Sequence, residues 1–256
     1  MKKYDLVIGT GCSFMNGDAI KGDQHPNFYT PTKFLADKIG CEWVNLAQSG
    51  SSNEHMFSRT ISYIEKNDFS NKKVLVIIGL SELARIYLKK GHDNRNYGSD
   101  LHPHHLINDS DFKRTAKKHF LEDEKGLESY AKFYMTHIYD EDFFEFKLGQ
   151  QIILLKNYFE NKNMDFIIFN SLNGHRNLET LLGIKNTILF DNNEKIWYIN
   201  LRKRHIEEFG DYNNVEHRSP TQPWGRYFCN GHPSPGANKD LANLLYKKIV
   251  NNGWID

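Results

Sequence analysis

The sequence predicts an α/β protein: a three-layer α/β/α arrangement around a flavodoxin-like parallel sheet of about five strands. Three observations predict it. Apolar runs of strand length end in glycine or small residues, as at 4–9 (YDLVIG) and 74–79 (VLVIIG), the pattern of strands buried on both faces. Segments of helical periodicity alternate with these runs, which implies parallel strands with covering helices. The chain is 256 residues long and 39% hydrophobic, enough for one sizeable core, so residues 1–256 are expected to form a single domain.

The elements follow in order. Residues 4–9 read as the first strand. A helix is predicted over 30–39, with Thr30 as N-cap, Pro31 at the first helical position and Gly40 just beyond its end. Residues 43–47 form the second strand and lead through the small-residue turn 48–52 into a helix over about 53–66. There Met56, Phe57, Thr60, Ile61 and Ile64 share one face, a core stripe at helical spacing. Residues 74–79 are the central strand. A long helix over about 143–161 precedes a fourth strand at 166–169, and two segments compete for the fifth, 187–190 and 196–199. A last helix over about 236–250 puts Leu241, Leu244, Leu245 and Ile249 on one side.

Between about 88 and 142 the pattern becomes charged, rich in histidine and weakly periodic. This stretch reads as a helical or loop insertion after the third strand, over the C-terminal edge of the sheet, where loops carry specificity. His92, His102, His104, His105 and His119 lie in it. Neighbouring histidines on a loop share no face, so a solvated polar lid is the simpler reading and no metal is assigned. The basic run Arg202-Lys203-Arg204-His205 is followed by Glu207 and Glu208 and reads as an ordinary charged helix face. Arg59 and Arg85 could meet an anionic substrate group; structural ion pairing is the plainer role for both.

A formal net charge of +1 supplies no electrostatic case for nucleic acid. The start Met1-Lys2-Lys3 is followed by Asp5 and Gly9, which break the apolar stretch too early for a signal peptide. No apolar run approaches the ~20 residues of a membrane span. Three cysteines, Cys12, Cys41 and Cys229, fit a reducing compartment better than a disulfide framework. A cytoplasmic protein with no nucleic-acid or membrane partner is expected, and its oligomeric state is left open.

The glycine turn Gly9-Thr10-Gly11-Cys12-Ser13-Phe14 follows the first strand, as in dinucleotide-binding folds. Their fingerprint needs a third glycine where this chain has Phe14, and a phosphate-binding loop needs a Gly-Lys-Ser/Thr triplet that is missing. Both readings fail there.

Four short blocks carry a resemblance instead. They are Gly11-Cys12-Ser13-Phe14-Met15-Asn16-Gly17 after the first strand, residues 45–53 (NLAQSGSSN) after the second, Gly79-Leu80-Ser81-Glu82 after the third, and Cys229-Asn230-Gly231-His232-Pro233-Ser234 before the last helix. In this order and at these positions they resemble the blocks of the SGNH (GDSL-like) hydrolase family, and the departures look most like those of small bacteriophage-encoded members. The resemblance spans residues 4 to about 250 and excludes the insertion.

The resemblance implies a serine hydrolase that cleaves a carboxylic ester, a carbohydrate O-acetyl ester among the candidates, without a cofactor. Ser13 would be the nucleophile and His232 its general base, with the Ser13 and Gly50 N–H groups in the oxyanion hole. A serine hydroxyl needs a base to take its proton, and the tetrahedral intermediate needs donors already in place. Where the family has a donor asparagine this chain has Ser81, for which Asn53 or the Ser81 hydroxyl could substitute, and Arg85 stands nearby. Where the family has an aspartate beside the histidine, this chain has Cys229 and Asn230. Asn230 could orient an imidazole without stabilising its charge; Glu82, Asp211 and Glu216 are candidate acids from elsewhere in the chain. Cys12 replaces the turn aspartate and is read as a buried thiol, not the attacking group. Ser13 has a plainer role available as a helix cap, and His232 as a loop histidine beside a proline turn. A scaffold that binds without cleaving and an acyltransferase are the alternatives.

Overall fold

The computed structural model describes residues 4–17, 29–89, 98–103, 107, 124–172, 187–188, 197–209, 227–229 and 232–255. Along them run β1 Leu6–Thr10, α1 Ser13–Asn16, α2 Pro31–Ile39, β2 Glu42–Asn45, α3 Asn53–Glu65, β3 Val74–Leu80, β4 Ile86–Lys89, β5 Gly98–Leu101, α4 Glu124–Phe133, a π-helical turn Tyr134–Ile138, α5 Glu141–Asn161, β6 Asp165–Asn170, β7 Thr187–Ile188, α6 Trp197–Phe209, β8 Phe228–Cys229, β9 His232–Pro233 and α7 Pro235–Asn251.

Five strands form one sheet in the order β2-β1-β3-β6-β7, all neighbours parallel. This is the strand order of flavodoxin-like α/β folds, the architecture the sequence predicts. Every residue of β1 and β3 is buried, because alternate side chains feed two cores. Val7, Leu75, Ile77, Ile167 and Phe169 pack with Leu35 of α2 and Leu241 and Leu245 of α7 on one face. Ile8, Val76, Ile78 and Ile168 pack with Met56 and Phe57 of α3 and Ile152 and Phe159 of α5 on the other. The three layers follow from that alternation.

Helix starts obey local chemistry. Thr30 accepts from the Lys33 N–H at 3.3 Å, Pro31 opens α2, and Gly40 closes it at φ 80°. Ser52 caps α3 by accepting from His55 N–H at 3.3 Å, one residue before the predicted start. Of the two candidate fifth strands, the first supplies β7 at Thr187–Ile188, whereas residues 197–199 of the second stand at the head of α6. The reason is periodicity: Leu201 and His205, four residues apart, are both buried, so this segment continues in helical register. Lys203 and Arg204 are exposed as the charged-face reading expects. His205 departs from it, turning its ring toward Phe228 at 5.9 Å.

The described residues of the insertion include strand and helix. β4 and β5 form an antiparallel hairpin with Ile86 opposite Leu101, and α4 with the π-helical turn leads into α5, which Asp140 caps through the Phe143 N–H at 2.7 Å.

Candidate active site

Parallel strands deliver their C-terminal ends to one rim, where open α/β sheets bind ligands. At that rim Gly11 and Cys12 turn the chain from β1 into α1, whose first residue is Ser13. The turn is tight: a Cβ on Gly11 would fall 2.5 Å from Met15 Cγ and 3.1 Å from the Gly79 carbonyl oxygen. Cys12 occupies the N-cap position, and its carbonyl accepts from the Met15 and Asn16 N–H groups at 3.0 and 3.1 Å. Ser13 therefore is not the capping residue. It is 9% exposed. The Cys12 thiol is fully buried with Phe14 and Leu172, as a small apolar group filling the turn.

His232 returns to the same rim on β9. That strand pairs antiparallel with β8, Cys229 opposite His232. Ser234 then locks the segment: its N–H donates to the Tyr227 carbonyl at 2.9 Å, and its hydroxyl caps α7 through the Ala237 N–H at 3.2 Å. The half-buried imidazole lies with its ring centre 5.4 Å from that of Phe14, the residue after Ser13. Among the described residues, the two segments meet through this ring pair.

The turn after β2 completes the near side. Leu46 and Gln48 donate their N–H groups to the Gly9 and Gly11 carbonyls at 2.7 and 3.1 Å, which lays residues 46–48 along the turn between β1 and α1. Gly50 follows in the left-handed region at φ 78°, a conformation that favours glycine. His102, at the end of the β4–β5 hairpin, reaches the Gly50 carbonyl with Nε2 at 3.0 Å. A carbonyl only accepts, so Nε2 carries the proton. The sequence reading placed His102 in a solvated lid; here it is 7% exposed and braces the turn. No sequence signal joins residues 50 and 102, since the hairpin alone brings them together.

Asn53 and Ser81, offered by the sequence as alternative donors, are hydrogen-bonded to each other. The Ser81 N–H donates to Asn53 Oδ1 at 2.8 Å, and Asn53 Nδ2 donates to the Ser81 carbonyl at 3.3 Å. This clamp leaves Asn53 one remaining N–H. Glu82 is engaged with Arg85 Nε at 3.1 Å, both side chains mostly buried, the structural ion pair expected for Arg85. Asn230, Gly231, Asp211, Glu216, His92, His104, His105 and His119 lie outside the described residues. Among the described residues no group of three or more His, Cys, Asp or Glu converges as a metal site, and no helix is long and apolar enough to cross a membrane.

A cavity of about 230 Å³ opens beside the turn after β3, lined by Arg85, Leu83, Tyr134, Phe144, Lys147 and Gln151 among others. Burial, then the neighbouring Tyr130, Tyr139 and Glu54, push the Tyr134 phenol well above its ordinary range, so it stays a neutral donor. A larger hollow of about 500 Å³ lies around Leu6, Glu42 and Lys72, at the opposite end of the strands from the rim.

These elements define a flavodoxin-like α/β protein with a serine and a histidine at one rim. Among solved structures the chain is similar to a protein described as a GDSL-like lipase from Parabacteroides merdae, at 12% identity and TM-score 0.45 over 99% of this chain and 98% of that one. It is also similar to a protein described as a lipolytic member of the G-D-S-L family from Desulfitobacterium hafniense, at 10% identity and TM-score 0.40 over 95% and 99%. A family two carbohydrate esterase from Clostridium thermocellum matches at 14% identity and TM-score 0.41, with 98% of this chain covering 65% of that chain. No protein-family model and no curated protein sequence matches it.

Proposed function

We propose that the chain is a serine hydrolase that cleaves a carboxylic ester through an acyl-serine intermediate. The observation that carries this reading is the meeting of the segments holding Ser13 and His232, 219 positions apart in the chain, at the C-terminal rim through the Phe14–His232 ring pair. In the proposed reaction the Ser13 hydroxyl attacks the ester carbonyl while the imidazole takes its proton. The carbonyl oxygen becomes an oxyanion, held by the N–H groups of Ser13 and Gly50. Collapse breaks the bond to the alcohol, which leaves with the proton from His232. Water, deprotonated by the same imidazole, then releases the acid and restores Ser13. No cofactor enters.

Small acyl esters suit the reading, a carbohydrate O-acetyl ester among them, and the first test needs none of that detail. Wild type is expected to hydrolyse p-nitrophenyl acetate and to be labelled by a fluorophosphonate probe, both lost in Ser13→Ala. Equal activity in the variant would refute the assignment. One observation favours a second reading, a scaffold that binds without cleaving: the Asn53 amide is held against the Ser81 backbone, which restricts how its remaining N–H can be aimed at an oxyanion. A wild-type protein that binds acetylated sugars yet resists the probe would support it. An acyltransferase would share the acyl-enzyme and be revealed by acyl products on added alcohols.

A further inference from the structure

We infer that Arg59 is a positioning residue for the turn that carries Gly50. The inference rests on the hydrolase reading for its chemical consequence, and on distances for its structural one. From the second turn of α3 the guanidinium reaches back with two prongs: Nη1 donates to Gln48 Oε1 at 2.7 Å and Nη2 to Ser51 Oγ at 3.1 Å. These acceptors belong to the first and last residues of the turn that the Ser51 N–H closes on the Gln48 carbonyl at 3.2 Å. Gly50 lies between them, held at a left-handed φ of 78°.

Backbone bonds and other side chains fix the turn from different directions. Gln48 N–H ties it to Gly11, His102 meets the Gly50 carbonyl, and Arg85 Nη1 approaches the Ser51 carbonyl at 3.5 Å. Arg59 differs in gripping both ends through one rigid planar fork, and both acceptors are neutral. A lysine offers a compact charge on a flexible stem with no planar fork and would grip the two ends less rigidly. An oxyanion donor acts only if it is aimed at the developing charge before the reaction begins, and small displacements of such a group lower turnover by orders of magnitude. Loosening the grip should therefore reduce kcat and spare KM, because the donor matters in the transition state and not in binding.

The test uses the full chain. Arg59→Met keeps the apolar stem and removes both prongs, Arg59→Lys keeps the charge, and Gln48→Ala removes one acceptor without touching α3. Melting temperature controls for folding. The readouts are turnover of p-nitrophenyl acetate, the rate of fluorophosphonate labelling, rescue of Arg59→Met by added guanidinium below denaturing concentration, and hydrogen exchange of the Gly50 and Ser51 amides. Expected are a loss of roughly tenfold or more in kcat for Arg59→Met with KM within about twofold, intermediate values for Arg59→Lys and Gln48→Ala, partial rescue, and faster exchange at Ser51, whose N–H closes the turn. Wild-type labelling rate and unchanged exchange in Arg59→Met would overturn the inference. If wild type itself resists the probe, the hydrolase reading falls, and the exchange comparison alone decides: faster exchange upholds Arg59 as the holder of the turn, unchanged exchange removes it.

Discussion

Replacing Asn53 by alanine tests how the rim after β3 is built. Asn53 is 6% exposed, Ser81 is fully buried, and two bonds join the amide to the Ser81 backbone at 2.8 and 3.3 Å. Alanine leaves the Ser81 N–H buried without that acceptor, a desolvation cost of about 1–3 kcal/mol, and removes the longer bond to the carbonyl, worth about 0.5–1 kcal/mol. Alanine at the first position of α3 returns a few tenths of a kcal/mol in helix propensity, and the Ser52 cap is untouched. The expected loss is about 2–3 kcal/mol, a fall in Tm of roughly 5–10 °C for a chain of this size, measured by calorimetry or denaturant unfolding. Asn53→Asp sharpens the test. Its carboxylate still accepts from the Ser81 N–H but repels the Ser81 carbonyl, and only the protonated acid can donate there. Its deficit relative to wild type should shrink as pH falls through roughly 4. A loss below about 0.5 kcal/mol in Asn53→Ala, or a deficit in Asn53→Asp that ignores pH, would refute the two-bond clamp.

Gly50→Ala should cost about 1–2 kcal/mol from the left-handed φ of 78°, the new Cβ standing at a tolerable 3.4 Å from His102 Nε2; on the hydrolase reading kcat should fall by more than that strain alone implies, and unchanged turnover would count against Gly50 as a donor. Tyr4 donates its hydroxyl to Asp165 at 2.7 Å, and burial followed by that carboxylate pushes its phenol far above the ordinary value of 10.0. The folded state thus holds this proton more tightly than the unfolded chain, so the contribution is complete below about pH 10 and is lost as pH rises beyond it. Tyr4→Phe should be less stable at pH 7 by about 1 kcal/mol and show a shallower alkaline decline than wild type; identical decline in both would refute the linkage.

The sheet was legible because burial on both faces leaves a local signature: runs such as Val74–Leu80 are apolar throughout, and glycine ends them where the chain must turn. The cap at Thr30 and the stripe Met56, Phe57, Thr60 and Ile64 are likewise written in neighbouring residues. Residues 196–199 show the limit of that code, since a short apolar run fits strand and helix equally and the choice depended on Leu201 and His205 meeting the core. At the rim, the sequence by itself determined which residue types could do chemistry and that Ser13, Gly50, Ser81 and His232 follow the strands in order. Only the tertiary structure decided their company: Phe14 against His232, Asn53 committed to Ser81, Glu82 to Arg85, His102 beneath Gly50 and Arg59 across its turn. Hydrogen bonds between side chains distant in sequence depend on where rigid elements cross, and no local pattern of residues encodes that crossing.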